Sequence, residues 1–231
     1  MAPASVAVYA NRVHFAAMQP GGVMAEKIPH APVDAFTSPG EIDASVELLA
    51  AAPLDVLACA FTSSAYRLGP SGEEALLQRL ARRTRGIPLT TTAVAIRKAL
   101  QSLNIDDIGL VNPPWFDDEL DRAGRDYFCA AGYGVRWHGP AGIRSNAPEV
   151  APAELFAAIL ARQQTDQASA IVIAGNGLRA VGIIDRLEAE LQVPVLTANQ
   201  VLLWHAMHLV GHADPIYGYG ELFTVRAEVL Q

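Results

Sequence analysis

The sequence predicts an α/β fold built from two pseudo-symmetric, flavodoxin-like lobes, each with a parallel sheet, that face each other across an interlobe cleft. Short apolar strands alternate with helical stretches along the chain, a pattern typical of parallel βα units. A strand, a small polar loop, a helix and a proline-containing strand also occur in both halves, with Pro88 and Pro194 at equivalent places. We predict an N-terminal lobe of residues 1–104 plus 207–231 and a C-terminal lobe of residues 105–206. The alternative is chance similarity between two βα units.

Composition narrows the class of protein. The 231 residues are enough for one large domain or two small lobes with proper cores. The apolar share of 51% and charged share of 18% are ordinary for a soluble globular protein. Apolar runs are only strand-length, so no membrane association is expected, and the first residues show no signal peptide. Two cysteines in apolar contexts, without a CxxC motif, indicate free thiols in a reducing cytoplasm.

The charge balance restricts the partners. A net charge of −7 argues against nucleic acid as a partner. It also means that a small anionic organic substrate, the partner that we expect, must be held by local donors against the overall field. The oligomeric state is left open, with a homo-oligomer as one outcome. The cysteine and histidine spacings favour no metal site.

The first half of the chain carries weaker strand signals at its start. Residues 6–9 or 13–17 are candidates for the first strand, residues 19–22 break the chain, and prolines keep the following part extended or looped. Ser38 is a plausible cap for a helix that ends at Leu49. The further elements predicted in this half are a strand at 54–60, a polar loop at 61–66 and a helix at 71–83. Residues 86–89 then lead into a short strand, and residues 90–92 lead into a helix ending near 103.

The second half repeats this alternation with stronger signals. Strands are predicted at 108–111, 134–137, 171–174 and 193–197. Helices are predicted at 117–131, 152–163, 178–191 and 201–209, with a long loop up to residue 149.

The unit at residues 171–197 organises the prediction of a site. An apolar strand is followed by Gly175, Asn176 and Gly177 and then by a helix predicted to begin at Leu178. Ligands of parallel sheets bind beyond the carboxyl ends of the strands, and a helix start without bulky side chains offers N–H groups to an anion. We predict that Gly175–Gly177 forms one wall of a small-anion site and meets the loop at 61–66 across the cleft. Alternatively, these glycines only permit a tight turn.

Several short motifs occur along the chain in an order that indicates a known family. They are Asp55 with Thr62-Ser63, residues 114–118 (PWFDD), residues 174–179 (AGNGLR), residues 191–195 with Asn199 and Trp204, and residues 218–223 (GYGELF). Together they resemble the aspartate/glutamate racemase superfamily, in the branch of arylmalonate decarboxylases and maleate cis-trans isomerases. The resemblance implies two pseudo-symmetric lobes, no metal or organic cofactor, a small carboxylic acid as substrate, and one or two cysteines at the cleft.

The functional positions of the family are only partly kept. The first cysteine position, a glycine in the decarboxylases, precedes a Thr-Ser pair and is Phe61 here. The second cysteine position is Gly175, and Trp115 replaces the tyrosine after the middle-strand proline. The resemblance therefore implies that the anion-binding frame remains while both thiols and the phenol are gone.

We accordingly predict Thr62 and Ser63 as catalytic residues, because hydroxyl and N–H donors at a strand end can stabilise an enediolate. Preorganised donors of this kind contribute on the order of 3 kcal/mol each. The predicted substrate-binding residues are Phe61, Ser64, Trp115, Gly175, Asn176 and Gly177. Phe61 would make its wall apolar, and Trp115 either stacks on a planar substrate or only covers the sheet edge. Arg179 either binds a second carboxylate or faces solvent.

Three functions fit these residues. The first is a cofactor-independent lyase or isomerase, resembling a decarboxylase or a maleate isomerase. The second is a small-ligand binding protein that has lost the nucleophiles. The third is a hydrolase that uses Ser63 with a base such as His138, although a solvated loop is the plainer interpretation of that histidine. Cys59 and Cys129 are interpreted as core or packing residues, and His205, His208 and His212 form only a weak metal pattern.

Overall fold

The computed structural model describes residues 1–18, 25–143, 150–212 and 214–225. The predicted break at 19–22 and the second half of the predicted loop at 138–149 lie outside these residues. The described part contains eight α-helices and six strands in an α/β order. No helix in these ranges combines the length and apolarity that crossing a membrane requires.

The first sheet consists of two parallel strands, β1 (Leu57–Cys59) and β2 (Leu89–Thr91), which pair from Leu57 with Leu89 to Cys59 with Thr91. Four helices accompany it in the chain. They are α1 (His30–Phe36), α2 (Glu41–Leu49), α3 (Ser63–Ala81) and α4 (Thr92–Ser102).

The second sheet is parallel throughout and has the strand order β4-β3-β5-β6. Its strands are β3 (Asp107–Val111), β4 (Gly134–Gly139), β5 (Ile171–Ile173) and β6 (Val195–Thr197). Its helices are α5 (Asp118–Ala130), α6 (Pro152–Thr165), α7 (Ile184–Leu191) and α8 (Ala198–Leu209). Short 3₁₀ turns occupy Val181–Ile183 and Glu221–Phe223. The central strands are buried over residues 108–111 in β3 and over the whole of β5, as expected for a parallel sheet covered on both faces.

The two halves repeat one another at the level of single hydrogen bonds. The N–H of Leu57 donates to the carbonyl of Pro88 at 2.8 Å, and the N–H of Ile171 donates to the carbonyl of Pro194 at 2.9 Å. Threonines at the ends of β2 and β6 then cap the helices α4 and α8 through their side chains. The predicted α/β fold with parallel sheets in two similar lobes is thereby confirmed. The exact lobe boundaries stay a prediction.

The start of the chain differs from the prediction. Residues 6–9 and 13–17 form no strand, so β1 pairs only with β2 among the described residues. The helix α1 was not expected, because its prolines suggested extended chain. Pro29 is its N-cap and Pro32 lies in its first turn, where a missing N–H costs nothing. Ser38 does not cap α2. Gly40 does, and its N–H donates to the Asp43 carboxylate at 3.3 Å.

Two predicted boundaries next to the site were wrong. The polar loop predicted at 61–66 is largely helical, because α3 begins at Ser63 and continues across a kink at Gly69, where φ is +67°. The helix predicted from Leu178 begins at Ile184. Leu178 and Ala180 are both buried while Arg179 is exposed. Residues two apart do not lie on the same face of a helix, so this alternating burial belongs to a segment that is not helical.

Candidate active site

All eight predicted site residues line one cavity of about 1150 Å³. Phe61, Thr62, Ser63 and Ser64 come from the junction of β1 and α3, and Trp115 comes from the loop after β3. Gly175, Asn176 and Gly177, called here the 175–177 turn, follow β5. The structure thus brings the two donor segments to one space, while the roles of the residues stay predictions.

The wall at the end of β1 is the start of a helix. Thr62 is the N-cap of α3 and its side chain makes no capping hydrogen bond. The first-turn N–H groups of a helix lack intrahelical partners, and they carry the positive end of its dipole. The Ser64 hydroxyl is already used, since it donates to the carbonyl of Val33 at 2.7 Å. Only the backbone of Ser64 is left to serve a ligand, whereas Thr62 and Ser63 offer hydroxyls as well.

The wall formed by the 175–177 turn is not the start of a helix, because α7 begins only at Ile184. Gly175 has φ of +82°, and a Cβ atom added there would lie 2.3 Å from Cγ of Pro113. Only glycine fits such a backbone and such a contact without strain. A Cβ on Gly177 would lie an ordinary 3.4 Å from the Trp115 ring. Gly175, which the resemblance places at the second thiol position, therefore leaves no room for a side chain beside Pro113.

The side chain of Asn176 is held by residues outside the cavity. Its Nδ2 donates to Asn199 Oδ1 at 2.8 Å and lies 3.3 Å from the hydroxyl of Thr92. Asn199 Nδ2 donates in return to the backbone carbonyl of Asn176 at 3.0 Å. The contribution of Asn176 to a ligand is consequently a backbone contribution.

Trp115 belongs to the cavity wall and is buried. Its loop is fastened by two residues that precede α1. Lys27 Nζ donates to the carbonyls of Pro114 and Phe116 at 2.8 Å each, and the N–H of Ile28 donates to the carbonyl of Trp115 at 2.9 Å. The ring both lines the cavity and packs on the 175–177 turn, so the two interpretations of Trp115 are compatible.

An aromatic row forms the apolar side of the cavity. Phe61 packs edge-on against Phe36 at 5.7 Å between ring centroids, and Phe36 packs against Phe15 at 5.9 Å. Apolar side chains of α2 extend this surface. A side chain of phenylalanine at the first thiol position therefore joins an apolar wall, as the sequence predicts.

One of the two cysteines differs from the prediction. Cys59 is half-buried and packs against the hydrophobic core, as predicted, and it also lines the cavity. Burial raises the pKa of its thiol to about 12, which keeps it protonated near neutral pH. Cys129 is exposed rather than packed.

The polar candidates His138 and Arg179 lie elsewhere. His138 Nδ1 is 3.2 Å from the Asp121 carboxylate, and its ring does not line the cavity. Arg179 donates to the carbonyl of Val150 at 3.2 Å. Arg12 and His14, which the sequence analysis did not select, do line the cavity. No sequence signal singles them out, because no motif surrounds them in the chain.

Two buried titratable side chains, Glu73 and His205, bind the threonines that precede α4. The Glu73 carboxylate is fully buried and accepts hydrogen bonds from Thr91 and Tyr127. Burial raises the pKa of this carboxyl group. His205 shares a 2.8 Å hydrogen bond with the Thr90 hydroxyl, and burial lowers its pKa to about 4. No cluster of three or more His, Cys, Asp or Glu side chains suited to a metal ion occurs within the ranges that the structure covers.

The two-lobed fold with a donor-lined cavity defines a protein of the aspartate/glutamate racemase superfamily, in the branch of arylmalonate decarboxylases and maleate isomerases. The family model described as arylmalonate decarboxylase matches residues 1–223, so the chain belongs to that family. No curated protein matches the chain.

Solved structures share the fold. Unliganded arylmalonate decarboxylase is 21% identical with a TM-score of 0.73, and the match covers 83% of each chain. Maleate isomerase from Pseudomonas putida with maleate is 18% identical with a TM-score of 0.76, over 88% of this chain and 82% of the other. Maleate cis-trans isomerase from Nocardia farcinica, which carries a covalently bound succinylcysteine intermediate, is 18% identical with a TM-score of 0.73, over 90% and 89%.

Proposed function

We propose that this protein is a cofactor-independent enzyme of the lyase or isomerase type that acts on a small carboxylic acid. The observation that carries the proposal is the meeting of two donor segments, residues 61–64 and the 175–177 turn, in one cavity. Membership of the arylmalonate decarboxylase family supports it. Within this class we favour decarboxylation.

The proposed reaction uses hydrogen-bond donors in place of thiols. When a carboxylate leaves as carbon dioxide, the carbon–carbon bond breaks and its electron pair passes to the remaining fragment as an enediolate. Donors from Thr62 and Ser63 on one side and from Asn176 and Gly177 on the other would hold the charged oxygens, each contributing on the order of 3 kcal/mol to the transition state. The fragment then takes one proton on carbon, either from a water molecule that Ser63 orients or from the Ser63 hydroxyl, which takes a proton back from water. Hydroxide is left in both cases.

The residues at the two thiol positions favour this chemistry over the alternatives in the family. Racemisation by two bases requires an acid–base group on each face of the substrate, and Phe61 and Gly175 provide none. A covalent cysteine intermediate, such as the one in the Nocardia farcinica isomerase, requires a thiolate. Cys59 lines the cavity, but its raised pKa makes it a poor nucleophile.

A second candidate is a protein that binds a small carboxylate without converting it. The same replacement of both thiol positions favours this candidate. The hydrolase hypothesis has less support, because His138 lies against Asp121 and outside the cavity lining, which leaves Ser63 without that base.

A panel of malonates, maleate and hydantoins tests the proposal. Carbon dioxide release and product formation are measured for the wild type, Ser63→Ala, Thr62→Val and the control Ser71→Ala, an exposed serine further along α3. We expect turnover of at least one malonate, and kcat lower by about 10²–10³ in Ser63→Ala or Thr62→Val but not in the control. Ligands that raise the melting temperature and are recovered unchanged would instead support the binding protein.

A further inference from the structure

Three consecutive threonines at the start of α4 each bind a different part of the molecule. Thr90, Thr91 and Thr92 are fully buried. The hydroxyl of Thr90 pairs with His205 on α8, and that of Thr91 donates to Glu73 on α3. Only the hydroxyl of Thr92 reaches the candidate active site, where it lies 3.3 Å from Nδ2 of Asn176. Thr92 therefore contacts a residue of the candidate active site, whereas Thr90 and Thr91 make hydrogen bonds away from that site.

Asn199 holds the same residue from the other side. This residue lies in the first turn of α8, and its carboxamide accepts from the side chain of Asn176 while donating to the carbonyl of Asn176. The carbonyl of Asn176 and the N–H of Gly177 belong to one planar trans peptide, in which they point in opposite directions. Because Asn199 lies outside the cavity lining and fixes the carbonyl, it also fixes the direction of the Gly177 N–H away from itself.

We propose that Thr92 and Asn199 are positioning residues that hold the peptide of Asn176 and Gly177 so that its N–H serves the ligand. Thr92 follows β2 of the first sheet, and Asn176 follows β5 of the second, so this contact also ties one lobe to the other at the cleft. The proposal rests on the proposed function in one respect, namely that the 175–177 turn binds a carboxylate. Neither residue lines the cavity.

The test compares Thr92→Val with Thr90→Val. Both variants remove one hydroxyl from fully buried positions two residues apart, so Thr90→Val controls for the general cost of losing a buried hydroxyl. Malonate affinity is measured by calorimetry, and the Gly177 amide is followed by NMR in protein labelled with ¹⁵N-glycine, assigned through Gly177→Ala. We expect Thr92→Val to weaken malonate binding by about fivefold to tenfold, the effect of one hydrogen bond, and to shift or broaden the Gly177 amide. Thr90→Val changes neither.

Asn199 supplies a second test that does not depend on a buried site, because its side chain is exposed. Asn199→Ala should also weaken malonate binding about fivefold and alter the Gly177 amide. Asn199→Asp introduces an acid into the first turn of α8, which favours the helix dipole, and places a negative charge beside the turn. We expect its melting temperature to stay level or rise while malonate binding weakens more than in Asn199→Ala.

The outcomes separate the two proposals. An unchanged Gly177 amide in both Thr92→Val and Asn199→Ala overturns the positioning roles, whatever malonate does. Equal effects of Thr90→Val and Thr92→Val would overturn them as well, since they indicate a general loss of structure. If wild-type protein binds no malonate or other carboxylate, the proposed function fails, and the Gly177 amide alone still decides whether Thr92 and Asn199 position the turn.

Discussion

Replacing Gly175 by alanine should destabilise the protein strongly although it adds only one methyl group. The backbone at Gly175 has φ of +82°, a conformation that costs a residue with a Cβ atom roughly 1–2 kcal/mol. The added Cβ would also lie 2.3 Å from Cγ of Pro113, and relieving such an overlap in a packed region costs about 1–3 kcal/mol. We therefore expect the free energy of unfolding to fall by about 2–5 kcal/mol.

Thermal denaturation measures this loss. For a chain of this length, 1 kcal/mol shifts the melting temperature by about 2–4 °C, so Gly175→Ala should melt about 4–20 °C below the wild type. Gly182→Ala is the matched control, because a Cβ there meets no atom within 4 Å. The control should stay within about 0.5 kcal/mol of the wild type. If Gly175→Ala has the same melting temperature as the control, the turn is free to adjust and Pro113 does not exclude a side chain at position 175.

Three further predictions concern the cavity and the buried polar groups. Phe61→Cys should place an alkylatable thiol in the cavity. The free energy of unfolding should fall by no more than about 3–5 kcal/mol, the loss typical of truncating a core phenylalanine. A thiol at position 61 that iodoacetamide cannot reach would contradict this position of Phe61. His205 has a pKa lowered from 6.5 to about 4, so it contributes about 3 kcal/mol of stability that is present above its unfolded pKa and lost as pH falls through the folded value. His205→Gln, which cannot titrate, should therefore lose less melting temperature than the wild type between about pH 7 and pH 4, and equal losses would refute the assignment. Glu73 has a raised pKa, so its contribution is present below its unfolded pKa of 4.5 and is lost as pH rises through the folded value. Urea denaturation should show Glu73→Gln gaining stability relative to the wild type as pH rises, and parallel pH profiles would count against a raised pKa.

The sequence indicated the central strands β3 and β5 because each carries a short aliphatic run that is followed by a proline-rich or glycine-rich turn. The equivalence of Pro88 and Pro194 extends to their hydrogen bonds with β1 and β5. Elements that depend on a single backbone angle were harder to predict. The kink at Gly69 hid the first turns of α3, and with them the fact that Thr62 and Ser63 start a helix.

The candidate site was predictable as a set of residues but not as a geometry. Motif order selected residues 61–64, Trp115 and the 175–177 turn, which one cavity brings together. Contacts across long sequence separations were out of reach, and the pairing of Thr92 with Asn176 is one example. The supports at Lys27 and Ile28 were missed for the same reason, since their partners are backbone carbonyls, which every sequence has.

The attachment of the Trp115 loop by Lys27 and Ile28 has a consequence for redesign. Residues 9–15 of the same N-terminal region line the cavity. Exchanging the N-terminal region as a whole for another segment would therefore also remove the hydrogen bonds that hold the Trp115 loop. Part of the cavity lining and the placement of the indole ring depend on the same region, so a library that varies it should hold Lys27 and Ile28 constant.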